Sequence, residues 1–170
     1  IALQRMTIES GLRLALDAGH FTVVYQPKIE LGSQRLIGAE ALLRWADPSL
    51  GPVSPTQFIP IAEHCGLINA VGDATIKIVL DQMRGWYNEG LELCPISINV
   101  SSHQLRNTEF ARQLAAQIST SGVPAHLLCL EITESTLMQD IEVSHQMLDQ
   151  LTRIGLSISI DDFGTGYSSL

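Results

Sequence analysis

The chain of 170 residues is 45% hydrophobic and 16% charged, with a formal net charge of -8, which is typical of a soluble globular domain with a sizeable core. It has no apolar run of the ~18 residues that a membrane span needs and no basic-then-apolar start of a signal peptide, so we expect no membrane contact by this segment. The acidic balance argues against a nucleic-acid partner, because such binding requires clustered Lys and Arg.

Three cysteines, Cys65, Cys94 and Cys129, are widely separated and set among apolar residues. An odd number of such cysteines is typical of free thiols in a reducing compartment and not of a disulfide framework. We therefore expect a cytoplasmic location for this segment. A membrane tether upstream in the parent protein stays open.

The first element is predicted to be an amphipathic helix. Apolar side chains recur at helical spacing over residues 2–18, and Gly19 follows as a stop. We assign residues 1–20 to a linker helix that follows an upstream module. Residues 21–170 are assigned to the domain itself.

Two strands are predicted next, because residues 21–26 and 36–45 are rich in β-branched, aromatic and aliphatic side chains. The first ends at Pro27, and a polar turn separates the two, so they are expected to pair as neighbours. Helices and strands then alternate. The periodicity and the Gly and Pro stops predict helices over 55–62, after a cap at Ser54, and over 69–88, 108–121 and 142–154. Strands are predicted over 95–100, 127–132 and 156–160.

Apolar strands that alternate with helices indicate a parallel sheet covered by helices. Polar residues fall in or at the ends of successive strands: Glu40, Asn99, Glu131, Asp161 and Asp162. A (β/α)8 barrel brings such strand ends together on one face, whereas a doubly wound sheet gathers them at a switch point. Five side chains with oxygen atoms, spread over four strands, favour the barrel. We predict an α/β fold with about five of the eight strands of a TIM-type barrel, the first strand being a candidate for antiparallel pairing.

The polar residues predict a metal site. Adjacent carboxylates such as Asp161 and Asp162 repel each other unless a cation or protons neutralise them. Oxygen donors without His or Cys at ligand spacing favour Mg2+ or Mn2+, and two such ions would suit attack on a phosphodiester. Glu40 and Glu131 are lone carboxylates in apolar strands, which are unfavourable unless paired. The alternatives are a solvated turn at the aspartate pair and an ordinary hydrogen bond from Asn99 to a neighbouring loop.

Six ordered motifs carry a family resemblance: YQP (25–27), AEALLRW (39–45), FIPIAEHCGLI (58–68), SINVS (97–101), EITES (131–135) and DDFGTGYSSL (161–170). In this order and spacing they resemble bacterial EAL domains. These domains are phosphodiesterases of the second messenger cyclic di-GMP. The resemblance covers about residues 21–170.

The resemblance implies roles for particular residues. Metal ligands would be Glu40, Asn99, Glu131, Asp161 and Asp162, with Glu40, Asp161 and Asp162 as catalytic residues. Glu134 would anchor a Gly-rich loop at 162–169 that couples metal binding to a dimer interface. Substrate contacts are implied for Gln26, Leu42 and Arg44, although Leu42 could be core and Arg44 a surface charge.

The activity implied by the resemblance is hydrolysis of cyclic di-GMP to linear 5'-pGpG with Mg2+ or Mn2+, in a homodimer joined to an upstream sensory, receiver or GGDEF module. A lysine, two glutamates and a glutamine of the family pattern would lie beyond Leu170, and Lys28 does not match that lysine. The 170 residues alone are therefore expected to be inactive. The alternatives are a degenerate EAL domain that acts as a cyclic di-GMP receptor or interaction module, and another metal-dependent barrel enzyme.

Overall fold

The computed structural model describes residues 2–161. Asp162 and the rest of the predicted Gly-rich loop lie outside the described residues. None of the helices in the described part combines the length and the hydropathy that a transmembrane segment requires.

One mixed sheet organises residues 2–161. Its strands are β1 (Phe21–Ile29), β2 (Leu36–Asp47), β3 (Gly51–Val53), β4 (Ile96–Asn99), β5 (Leu128–Thr133) and β6 (Ser157–Asp161). β1 pairs antiparallel with β2, and β2, β4, β5 and β6 follow one another in parallel. The short β3 pairs with the end of β2. Among the described strands the order runs from β1 to β6 without closing into a barrel.

Helices connect the strands. They are α1 (Ala2–Ala18), α2 (Pro55–His64), α3 (Ile68–Asn88), α4 (Ser102–Arg106), α5 (Phe110–Ser121), α6 (Glu134–Met138) and α7 (Ile141–Ile154), with a 3₁₀ turn at Ala125–Leu127. α5 and α7 both end at a glycine in the left-handed conformation, at Gly122 and Gly155. Glycine tolerates this conformation because it has no Cβ.

Two hydrophobic clusters stabilise the fold. The larger one lies between the parallel strands and the helices α3, α5 and α7, and includes Val79, Leu114 and Leu130. The second joins α1, α2 and the β1–β2 pair around three aromatic rings, Phe21, Trp45 and Phe58. Their ring centroids lie 5.6 to 6.1 Å apart. Offset and edge-on contacts at such distances stabilise buried aromatic side chains.

The α/β class, the parallel pairing and the antiparallel first strand are confirmed. The prediction is wrong at four elements. β1 continues past Pro27 to Ile29, and β3 and the short helices α4 and α6 are additional to the predicted elements. Pro27 is tolerated because β1 is an edge strand among the described strands, so a missing backbone N–H breaks no second ladder.

Candidate functional site

The strand register places the predicted site residues on one face of the sheet. Glu40 lies opposite Ser97, and Asn99 lies opposite Glu131 on the next strand. Thr133 lies opposite Asp161, two positions further toward the carboxyl ends. Side chains alternate between the two faces of a strand, so residues separated by two positions share a face. The carboxyl edge of the parallel strands therefore carries these polar residues together.

Glu40 and Asn99 are in direct contact. The Asn99 side-chain amide nitrogen donates a hydrogen bond of 2.7 Å to Glu40 Oε1. Glu40 is half-buried, and the neighbours Ala39 and Ala41 are buried in the core on the other face. The predicted need of this strand carboxylate for a partner is thus met by an amide from the adjacent parallel strand.

Glu131 is the most buried carboxylate among the described site residues, at 7% exposure. Its Oε1 accepts a hydrogen bond from the Lys28 ammonium group, which also donates to Ser97 Oγ at 2.8 Å. Burial alone would lower the pKa of Lys28, but the hydrogen bond and the charge of Glu131 outweigh it and raise that pKa. On the same strand, burial raises the pKa of the Cys129 thiol, which keeps it protonated.

A cleft of about 490 Å³ opens beside these residues and is lined by Leu42, Arg44, Asn99 and Glu131 among others. Arg44 is exposed, and its guanidinium group donates a hydrogen bond of 2.9 Å to the Leu43 carbonyl oxygen. Two predicted substrate-contacting residues thus line the same cleft as two predicted metal ligands. The third, Gln26, is exposed and lies opposite Glu40 on β1.

One wall of the cleft is built by a capping box at the start of α4. Ser101 accepts a hydrogen bond from the Gln104 backbone N–H, and Gln104 accepts one from the Ser101 backbone N–H. Gln104 is buried at 4% exposure and lies against Gly72 of α3. This contact fixes the chain that leaves β4 immediately after Asn99.

Two predicted residues lie at the edges of this group. Glu134 is half-buried in the first turn of α6, which begins after the Thr133 cap. The loop that Glu134 was predicted to anchor lies outside the described residues. Asp161 is exposed at the end of β6. The role of Asp162 stays a prediction.

The donor set fits a hard divalent cation in its chemistry, because Glu40, Asn99 and Glu131 supply carboxylate and amide oxygens from adjacent strands. Within residues 2–161, no three His, Cys, Asp or Glu side chains form a group that could hold a metal ion. Asn99 is not one of those residue types, and Asp162 is not described. The described carboxylates alone therefore do not complete a ligand set.

Lys28 lies in this site although the sequence motifs do not predict it there. The sequence contains a signal for this position, because side chains alternate along β1 and Lys28 therefore lies on the same face as Gln26. A predicted strand that ends at Pro27 excludes Lys28 from this alternation. The structure brings the Lys28 ammonium group to Glu131 across 103 positions of sequence.

Comparisons with known proteins add the family context. The family model for the EAL domain matches residues 9–170. The bifunctional diguanylate cyclase/cyclic di-GMP phosphodiesterase MucR of Pseudomonas aeruginosa is 41% identical over 170 residues, which are 99% of this chain and 25% of that protein. The cyclic di-GMP phosphodiesterase PA2567 of the same organism is 38% identical over 149 residues, 88% of this chain and again 25% of the relative. This chain thus spans about a quarter of each relative.

A solved structure of the PaMucR phosphodiesterase in complex with c-di-GMP superposes on this chain with a TM-score of 0.89 and 39% sequence identity. The match covers 96% of this chain and 66% of that one. The predicted partial barrel is therefore the fold that this chain shares with the solved domain.

Proposed function

The chain belongs to the EAL domain family, and from this premise we propose that its parent protein hydrolyses cyclic di-GMP to linear 5'-pGpG with Mg2+ or Mn2+. One observation carries the proposal. The Glu40 to Asn99 hydrogen bond and the adjacent Glu131 lie beside a cleft that also contains Leu42 and Arg44. This edge therefore offers oxygen donors for a cation and a guanidinium group for a phosphate.

In the proposed reaction, bound metal ions would polarise one phosphodiester and lower the pKa of the attacking water. Glu40, Asn99, Glu131, Asp161 and Asp162 would hold the ions. Arg44 would exchange its hydrogen bond to the Leu43 carbonyl oxygen for a contact with the phosphate. Its planar guanidinium group can donate two parallel hydrogen bonds to two phosphate oxygens. Leu42 and Gln26 would line the substrate pocket, and Glu134 would anchor the loop at 162–169.

The proposal also covers the location, the oligomeric state and the upstream module of the parent protein. We place the protein in the cytoplasm as a homodimer, with an upstream sensory, receiver or GGDEF module joined through a linker helix at residues 1–20. The 170 residues alone are proposed to be inactive, because they cover only 66% of the solved phosphodiesterase chain that they match.

The test is a turnover assay on the purified full-length protein with cyclic di-GMP as substrate. We expect 5'-pGpG to accumulate with Mg2+ or Mn2+, to stop when EDTA is added, and to be absent with residues 1–170 alone. Tight binding of cyclic di-GMP without turnover at saturating metal would replace the proposal with the receptor alternative. Substantial release of 5'-pGpG by residues 1–170 would contradict the proposed inactivity of this segment.

A further inference from the structure

Lys28 reaches across the sheet to a predicted metal ligand. Gly38 lies directly opposite Lys28 on β2 and carries no side chain. A Cβ at Gly38 would lie 2.8 Å from the Pro95 carbonyl oxygen, so a larger residue does not fit there. The Lys28 side chain extends past this position to Ser97 on β4 and Glu131 on β5.

The ion pair is buried at its carboxylate end. The Glu131 side chain is 8% exposed, whereas that of Lys28 is 41% exposed. Glu131 cannot turn to the opposite face, because Leu130 and Ile132 on either side of it point into the core and are completely buried. A buried carboxylate without a partner is strongly unfavourable, so the Lys28 ammonium group stabilises the metal-free site.

The same carboxylate has a second proposed partner. If Glu131 binds a divalent cation, the Lys28 ammonium group lies beside that cation and repels it. Repulsion between neighbouring cations is strong where one carboxylate serves both and water is partly excluded. The long and partly exposed side chain of Lys28 has rotatable bonds that let its ammonium group move away.

We propose that Lys28 is an internal counter-cation that competes with the divalent ion for Glu131 and thereby sets the metal affinity. This inference rests on the metal site proposed above. Lys28 stabilises the protein without metal and opposes loading. Its removal should therefore strengthen metal binding while weakening the metal-free fold. A lysine that only oriented Glu131 for the metal would give the opposite change in affinity.

The test compares Lys28→Met with the control Lys77→Met in the metal-stripped full-length protein. Lys77 also forms an ion pair, with Asp81 at 2.6 Å, but its side chain is 71% exposed on α3. Calorimetric titration with Mn2+ and with Mg2+ gives the Kd, and thermal unfolding with and without metal gives the Tm. We expect a Kd about tenfold lower for Lys28→Met, equal to about 1.4 kcal/mol. Its metal-free Tm should fall and its metal-induced rise in Tm should grow, while Lys77→Met matches the wild type.

Ser97→Ala provides a milder variant, because it removes the 2.8 Å hydrogen bond that holds the ammonium group and keeps its charge. We expect a smaller change in the same direction, and this variant decides the test if Lys28→Met does not fold. An unchanged or higher Kd in the variants, with metal binding by the wild type, would overturn the competition and leave the proposed function intact. Absence of binding in every form would overturn both.

Discussion

Tyr25 combines a packed ring with a buried hydroxyl group. Its ring lies edge-on to Trp86 of α3, with centroids 4.9 Å apart. Among the described residues the hydroxyl oxygen has no hydrogen-bond partner. Burial raises the pKa of Tyr25 to about 12. The ionised form is therefore disfavoured in the folded protein.

This raised pKa predicts a loss of stability at high pH. In the unfolded chain a tyrosine ionises near pH 10, so between pH 10 and about 12 the unfolded state releases a proton that the folded state keeps. The contribution of Tyr25 to the free energy of unfolding should fall across this window. Urea unfolding at a series of pH values should show a shallower decline for Tyr25→Phe than for the wild type. The exposed Tyr87→Phe is the control, and identical slopes for wild type and Tyr25→Phe would contradict the prediction.

Single residues of the site were predictable to different degrees. A lone carboxylate in an apolar strand requires a partner, and this reasoning applies to Glu131 without any structure. It does not identify that partner, because Lys28 is distant in sequence and becomes adjacent only when the four strands β1, β2, β4 and β5 pair. Similarly, the contact between Asn99 and Glu40 depends on the register of β2 and β4.

At the scale of elements, the packing of α3 against α4 supports the wall of the cleft. A Cβ at Gly72 would lie 2.0 Å from Gln104 Nε2, so Gly72 leaves the space that the Gln104 side chain occupies. Gln104 in turn completes the capping box with Ser101. The position of the segment after Asn99 therefore depends on a glycine in another helix.

Gly72→Ala should destabilise the protein by about 1–3 kcal/mol, since Gln104 is buried and must move from its hydrogen bonds. Gly85→Ala in the same helix is the matched control, because the nearest side-chain atom, Gln82 Nε2, lies 4.0 Å from its Cβ. That control should be neutral or stabilising by up to about 1 kcal/mol. Thermal unfolding measures both, and a Gly72→Ala protein as stable as Gly85→Ala would refute the role of Gly72.

Element prediction succeeded where a long periodic pattern exists. The pattern over residues 69–88 gave α3 within one residue, and Pro55 marked the start of α2. It failed for short elements. β3 has three residues, too few for a period, and exists because it pairs with the end of β2. α4 had a detectable signal, the Ser101 and Gln104 spacing of a capping box.

At the scale of the whole molecule, α1 is packed onto the domain through one side. Leu12 and Ala15 are fully buried in the cluster around Trp45, whereas Leu14 is 65% exposed. A Cβ at Gly11 would lie 2.9 Å from the Trp45 ring, which shows how closely the helix approaches β2. The assignment of residues 1–20 to a linker stays a prediction, but this helix contributes to the second hydrophobic cluster.

Leu12→Ala should therefore destabilise the protein by about 2–5 kcal/mol, the usual range for a large-to-small change in a core. Leu14→Ala on the exposed side of the same helix should change stability by no more than about 0.5 kcal/mol. Chemical unfolding of the two variants, measured side by side, checks the prediction. Equal stability of the two would mean that α1 is not packed on the domain.

The architecture was predictable because alternating apolar strands and helices leave few arrangements, and because the polar residues fall at strand ends. The ordered motifs also predicted the EAL domain family, and the family model that matches residues 9–170 confirms it. Which side chains of the site contact each other was not predictable, because these contacts depend on the register between strands that are far apart in the chain.

The central claim, that Glu40 belongs to a metal site that hydrolyses cyclic di-GMP, is tested most directly by turnover in full-length Glu40→Ala. We expect the rate to fall by more than about a hundredfold, beyond the usual effect of residues outside the ligand shell. Glu109→Ala is the control, since Glu109 is exposed and pairs with Arg112 away from the cleft. It should retain the wild-type rate, and Tm values should show that both variants are folded. A wild-type rate of 5'-pGpG release by folded Glu40→Ala would contradict the claim.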